Sequence, residues 1–238
     1  MHIALWALGV AVFFALVAFE RISESDTTVN DLHIDLIQPG YQLFLTKDDI
    51  REVLLNEDDS LLFRPILGIN SALLEETLEN HPFVADAEVF STLDGLLSVQ
   101  VKQKEAVARV IQASRHYYID AEGHPFPTTV SYSAFVPVIS GKADSIGLFE
   151  AYTTLKALDK SEYFTNYLAE IHINGKGEIE LIPRQGRHRV IIGNTTDLQL
   201  KLKKLQAFYT NVVTPQNLND WKTLNVAYSD QLVCTKYN

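Results

Sequence analysis

The run from Ile3 to Phe19 (IALWALGVAVFFALVAF) carries no charged and no strongly polar side chain. As a helix, seventeen residues rise roughly 26 Å, at the short end of what spans a hydrocarbon core. The character changes at once afterwards, with Glu20, Arg21, Glu24 and Asp26. Three readings compete: a single-pass anchor, a cleaved signal peptide and a buried core helix. The run ends without an A-x-A site and begins without a basic segment, which disfavours the signal peptide. A helix apolar on every side at the extreme terminus has no other strong partner in the sequence, which disfavours the core helix. The expectation is an anchor over residues 1–20 and a short polar linker over 21–28. Only the α-amine and His2 precede the run, so the Lys/Arg rule orients it weakly. An N-terminus inside and a C-terminus outside follow mainly from the large globular part behind a single short anchor.

That remainder is rich enough in apolar residues to fold. The 238-residue chain is 47% hydrophobic and 21% charged, which describes a globular chain with room for one large domain or two small ones. Its 20 basic and 30 acidic residues give a net charge of −10, which disfavours a nucleic-acid partner. The single cysteine, Cys234, rules out an internal disulfide and any four-thiol metal site.

Hydrophobic period divides the rest into two regions, 29–104 and 105–238. In the first, Leu32, Ile34 and Leu36 alternate as a strand. Thr46-Lys47-Asp48-Asp49 resembles a capping box opening a short amphipathic helix with Ile50, Val53 and Leu54 on its apolar side. A second helix starts near Asn70, with Ile69 and Leu74 as a staple, Leu73, Leu74 and Leu78 buried, and His81-Pro82 as its stop. Ala85, Ala87 and Val89, then Leu97, Val99 and Val101, form two strands around Asp94-Gly95, a two-residue hairpin signal. The order is β-α-α-β-β, a small three-stranded sheet that needs its helices to cover one face.

The second region reads as a mixed sheet with helices. Strands are expected at Val107–Ile111, His116–Ile119, Val136–Ile139, around the Asn174-Gly175 hairpin within Ile171–Pro183, and at His188–Ile192. Ile146 to Leu158 has helical spacing. Thr196-Asp197-Leu198-Gln199 reads as a capping box before the stripe Leu198, Leu202, Leu205, Phe208, Tyr209 and Val212, with Lys201, Lys203 and Lys204 away from it. Lys222–Tyr228, a Ser229-Asp230 turn and Gln231–Tyr237 form a terminal hairpin or bent strand pair. The basic stretch Arg184, Arg187, His188 and Arg189 reads as a solvated strand end, and Trp221 as a packing residue.

The β-α-α-β-β block resembles a POTRA domain, and the tail narrows the resemblance. His116-Tyr117-Tyr118-Ile119-Asp120-Ala121-Glu122-Gly123 with Phe126-Pro127 resembles the "YYID..G..MP" segment of the FtsQ/DivIB family, and Val136-Pro137-Val138-Ile139-Ser140-Gly141 its "VPVI.G". Lys201 to Tyr209, Trp221 and Leu224 to Lys236 (LNVAYSDQLVCTK) resemble its C-terminal "KL.KL..FY…W…INL.Y.NQVVCTK". Phe126 stands where the family usually has Met, and Glu105-Ala106 where many members have proline. The resemblance implies an α+β protein of the bacterial inner membrane at the division septum, with its N-terminus cytoplasmic and a POTRA domain and β domain in the periplasm. Its implied partners are FtsB- and FtsL-like coiled-coil proteins, linked to the FtsW/FtsI synthase. A POTRA-type chaperone or translocation module is the other reading; it calls for tandem POTRA repeats or a following barrel.

Partner binding is expected at a terminal sheet edge, whose unpaired N–H and C=O groups can template another strand. The expected edge is Gln231, Leu232, Val233, Cys234, Thr235 and Lys236, with Leu232 and Cys234 on one face and Val233 and Thr235 on the other. Tyr228 is the expected aromatic anchor, and Lys201 and Lys204 are expected to meet acidic partner residues. Catalysis has no comparable signal. Ser114, His116, Asp120 and His124 are near only in sequence, no G-x-S-x-G, H-E-x-x-H, P-loop or G-x-G-x-x-G occurs, and no cofactor is indicated. His33, His81, His172 and His188 lack metal-ligand spacing.

Overall fold

The computed structural model describes residues 27–238 apart from Leu93, Ser114 and Ala143. The expected anchor at 1–20 and most of the expected linker at 21–28 lie outside the described residues. Among the described residues, no helix is long and apolar enough to cross a membrane. The chain divides into two compact units between Glu105 and Ala106.

The first unit runs β1 (Asp31–Ile37), α1 (Lys47–Glu57), α2 (Ser71–Glu79), β2 (Val84–Ser91) and β3 (Leu96–Gln103). β3 lies in the middle, parallel to β1 and antiparallel to β2. Leu32, Ile34, Ala87, Val89, Leu97, Val99 and Val101 share one core with Ile50, Leu54, Leu74 and Leu78 of the helices. The capping box of α1 is present: Thr46 Oγ1 accepts from the Asp49 N–H at 3.2 Å, and the Asp49 carboxylate accepts from the Thr46 N–H at 2.8 Å. Asn70 caps α2 by accepting from the Leu73 N–H at 3.3 Å. Leu73 itself is 44% exposed, against expectation. It lies one residue off the Leu74–Leu78 stripe, and a nine-residue helix buries only one such stripe.

After β1 the chain returns to the sheet through Gln42–Leu45, in which Gln42, Phe44 and Leu45 are buried and their backbone groups need partners. Fully buried Gln103 supplies them. Its side-chain oxygen accepts from the N–H groups of Phe44 (2.8 Å) and Leu45 (2.9 Å), and its amide donates to the Gln42 carbonyl at 3.0 Å.

The second unit contains β4 (Ala108–Gln112), β5 (Arg115–Ile119), β6 (Pro125–Pro127), β7 (Val138–Gly141), α3 (Ser145–Asp159), β8 (Leu168–Ile173), β9 (Ile179–Pro183), β10 (Arg189–Gly193), α4 (Leu198–Asn211), β11 (Trp221–Asn225) and β12 (Val233–Lys236). Its nine strands form one mixed sheet in the order β12-β11-β10-β9-β8-β7-β4-β5-β6. Alternate residues Val110, Ile139, Ile171, Leu181, Val190 and Leu224 meet Ala151, Leu155 and Leu158 of α3 and Leu198, Leu202 and Leu205 of α4.

The turn chemistry departs from the two-residue hairpins expected. Gly95 N–H donates to the Thr92 carbonyl and Thr92 N–H to Leu96, with φ +92° at Gly95. Gly123 and Gly177 repeat the pattern, with Asp120–His124 and Asn174–Glu178 closing their loops and φ of +89° and +82°. Each loop is one residue longer than a type I′ turn, and the glycine that closes it takes the left-handed conformation. The α4 capping box is also absent. Asp197 is the N-cap at φ 54° without a side-chain cap bond, and its carbonyl accepts from the N–H groups of Leu200 and Lys201 at 2.9 and 3.1 Å. At the far end of α4, Val212 is exposed rather than completing the stripe.

Replacing Gln103 with leucine keeps the bulk and strips the buried N–H groups of Phe44 and Leu45 of their acceptor. The expected cost is about 3 kcal/mol in chemical denaturation, while the surface change Glu88→Gln leaves stability nearly unchanged.

Candidate functional site

A sheet of nine strands has two edges, here β6 and β12. At the β6 edge, the His124 carbonyl accepts from the Asp120 N–H of the neighbouring hairpin arm, so position 124 faces β5. Backbone direction alternates along an extended chain, which turns Phe126 inward and Pro125 and Pro127 outward. Neither outward residue has an N–H to offer, and proline on an edge blunts it.

β12 is the opposite case. It pairs antiparallel with β11, placing Thr223 beside Thr235, Leu224 beside Cys234 and Asn225 beside Val233. Tyr237 N–H donates to the Asp220 carbonyl at 2.8 Å, so position 237 faces β11. The same alternation turns Thr235 and Val233 inward and leaves the backbone of Lys236, Cys234 and Leu232 facing outward, with no proline among them. The side chains follow the faces expected. Leu232 and Cys234 pack against the core, and burial raises the Cys234 thiol pKa above its usual value. Val233 and Thr235 are exposed, with Thr235 Oγ1 2.5 Å from Thr223 Oγ1. Gln231 is exposed. Lys236 lies 4.6 Å from the Trp221 ring centre, and Trp221 is buried against Phe208.

The turn before β12 is organised by α4. The Lys204 ammonium donates to the carbonyls of Val226 (3.1 Å), Tyr228 and Ser229 (3.3 Å). Tyr228 is 52% exposed, so it is a surface aromatic rather than core. Lys204 reaches the site by holding its backbone, which leaves less of its charge for an acidic partner.

Lys201 does not reach the site at all. It is 6% exposed, and its ammonium donates to the Asn194 carbonyl at 2.8 Å and the Asn194 side-chain oxygen at 3.1 Å. Burial, with Lys204 close by, lowers its pKa. The Asn194 carbonyl, three residues before the left-handed Asp197, is thus answered by a lysine one turn into α4.

His188 is also a correction: it is 2% exposed rather than part of a solvated strand end. Its Nε2 lies 2.5 Å from the Tyr209 hydroxyl, which lies 2.8 Å from that of Tyr167. Burial raises the pKa of both tyrosines and lowers that of His188. Around them Arg184 stacks over Phe135 at 4.1 Å, and Arg189 meets Glu180 at 3.3 Å. Arg187 covers the Tyr237 ring at 5.2 Å while its carbonyl accepts from the Tyr237 hydroxyl at 3.0 Å. Tyr237 was not singled out in the sequence; an aromatic just past a terminal strand is the signal that could have found it.

Other polar groups have structural work. Asp120 accepts from the N–H groups of Glu122 and His124, at 3.1 and 2.8 Å. Ser140 Oγ donates to Glu170 at 2.5 Å and lies 2.7 Å from His172 Nδ1. Glu170 and Ser140 thus meet on the same side of the imidazole, so the carboxylate does not orient it from behind as in a hydrolytic triad. Among the described residues, no group of three or more His, Cys, Asp or Glu is placed to hold a metal.

A β-α-α-β-β unit followed by a helix-backed sheet with one open edge defines a POTRA-bearing protein with an appended β unit, and a family model described as "POTRA-like domain" matches residues 27–102. A second, described as "FtsQ/DivIB, C-terminal related", matches residues 105–235. The chain belongs to the FtsQ/DivIB family. It is 27% identical over 183 residues to "Cell division protein FtsQ" of Geotalea daltonii (strain DSM 22248 / JCM 15807 / FRC-32), across 72% of this chain and 65% of that relative, just under two thirds of its length.

Two outcomes follow from this geometry. The Lys204→Met variant should lose the clasp on Val226, Tyr228 and Ser229, and hydrogen exchange should show faster exchange at β12 amides with α3 unchanged. His188, with its ordinary value of 6.5 lowered by burial, takes up its proton more readily in the unfolded chain. Its stabilising contribution is complete above pH 6.5 and is lost as pH falls from there towards the lower folded value. Melting temperature should therefore fall more steeply between pH 6.5 and 5 in the parent than in His188→Gln.

Proposed function

We propose that this chain is a membrane-anchored scaffold of bacterial cell division that works by binding and has no catalytic centre. An apolar helix over residues 1–20 holds it in the inner membrane, with the two units in the periplasm at the septum. Its outward β12 edge takes an extended segment of an FtsB- or FtsL-like coiled-coil membrane protein as an added strand. That complex joins early septal-ring components to septal peptidoglycan synthesis by FtsW/FtsI. The carrying observation is the asymmetry of the edges: β6 turns two prolines outward, and β12 turns out peptide groups that can pair. Family membership supports the division role. Tyr228 and Gln231 flank the start of the edge, where side chains of an added strand supply specificity.

The test is calorimetric binding of the full chain in detergent to the extracytoplasmic segment of the FtsB-like protein. Cys234→Pro removes an outward N–H and spares the pairing with β11; Cys234→Ala controls for the thiol. The expected result is parent-like affinity in the alanine variant and about tenfold or greater loss in the proline variant, with circular dichroism unchanged. Equal affinity for all three would move the interface away from β12.

A further inference from the structure

The first unit has two unlike poles. β3 runs parallel to β1, with Asp31 level with Leu96 and Ile37 level with Lys102. The starts of both strands therefore share one pole and their ends the other. The starting pole is where the chain arrives. There the Ile66 N–H donates to the Thr27 carbonyl, Val29 N–H to Arg64, Phe63 N–H to Val29 and Asn30 N–H to Gly95, each at 2.9 Å. The other pole carries the Gln38–Thr46 loop and the departure through Lys104 and Glu105.

At the arriving pole, Phe63 sits at φ 89° with 81% of its surface exposed, and Leu67 is 71% exposed. A bulky residue in that backbone region is a genuine outlier, and such strain persists only where its surroundings impose it. Here the Val29 carbonyl holds the Phe63 N–H, and Asp58 holds the next side chain, Arg64, at 2.9 Å. Apolar packing was within reach: Leu62 and Ile66 of the same segment pack on the core. The segment thus turns Leu61, Leu62 and Ile66 inward and Phe63 and Leu67 outward, and at Phe63 the outward placement is held against backbone strain.

Thr27 is eight positions beyond Phe19, the last residue of the apolar run, about 28 Å at full extension. We propose that Phe63 and Leu67 enter the headgroup–acyl boundary of the bilayer holding the anchor and fix the arriving pole of the first unit against the membrane surface; this rests on the anchor in the proposed function. Two apolar side chains on a fixed loop suit that boundary. Asp58 is paired with Arg64, while Asp59 and Asp94 offer nothing to anionic headgroups, so the contact is apolar and forms in neutral lipid.

The test uses the full chain in phosphatidylcholine nanodiscs with Cys234→Ser. A nitroxide is placed at Phe63→Cys or at Tyr41→Cys, which is exposed on the opposite pole. Spin relaxation by oxygen relative to a water-soluble nickel chelate should be about threefold or more higher at 63 than at 41, as for a group below the headgroups. A further label at Leu67→Cys should match that lipid-side ratio, and adding Phe63→Asp should return it to the value at 41. Equal ratios at 63 and 41 overturn the contact and leave the anchor standing. A chain that does not incorporate into the discs overturns both, and a Leu67 label unmoved by Phe63→Asp overturns the role of Phe63.

Discussion

The Lys204 ammonium meets three carbonyls, those of Val226, Tyr228 and Ser229, just before the chain's last strand forms one edge of the sheet. A terminal strand has a neighbour on one side only, so its turn and register need another source of order. Part of that order comes from below, where Leu232 and Cys234 pack on the helix-backed core. Lys204 supplies the rest from α4, and Tyr237 pins the far end through Asp220 and Arg187. The strand is held at both ends and along its inner face while its outer row of peptide groups stays open. That combination suits an added strand: the acceptor is already extended, so little ordering entropy opposes pairing.

The first unit solves a different problem with the same means. Its sheet has three strands and a small core, and the chain must return from the end of β1 through a mostly buried stretch. One amide, Gln103, accepts and donates there. Its position at the end of β3 ties the return path to the central strand. The opposite pole pairs Thr27–Asn30 with the loop that carries Phe63 and with the Gly95 turn. A side chain on Gly95 would approach within 2.5 Å of Asn30 Nδ2, so the entry of the chain and the tip of the hairpin are fitted to each other.

Much of this was legible because periodicity reports burial. The alternation of Leu97, Val99 and Val101, and the spacing of Leu198, Leu202 and Leu205, mark the faces that the structure buries. The terminal hairpin and the two faces of β12 were readable for the same reason. Distant backbone groups were not. Lys201 looks like one of three surface lysines, and only the path of the chain brings the Asn194 carbonyl to it. His188 stands in a basic stretch yet turns inward to Tyr209, a partner twenty-one residues on. Asp94-Gly95 and Asn174-Gly175 marked turns correctly but not their length, since a longer loop closed by one left-handed glycine satisfies the strand twist as well as two left-handed residues do. Leu73 and Val212 were misjudged because a helix stripe drifts, and its last members are decided by what lies beneath.

The prolines of β6 have a consequence for self-association. Open sheets grow into fibres when an edge on one copy can pair with a different edge on the next, because such a contact leaves both outer ends free. The sheet of the second unit cannot extend in that way: its β6 side turns Pro125 and Pro127 towards any newcomer. Two copies could still meet β12 to β12 about a twofold axis, and that contact uses up both open edges. Growth through this sheet would then stop at a closed pair, which a competing strand can reopen, instead of running on into a filament.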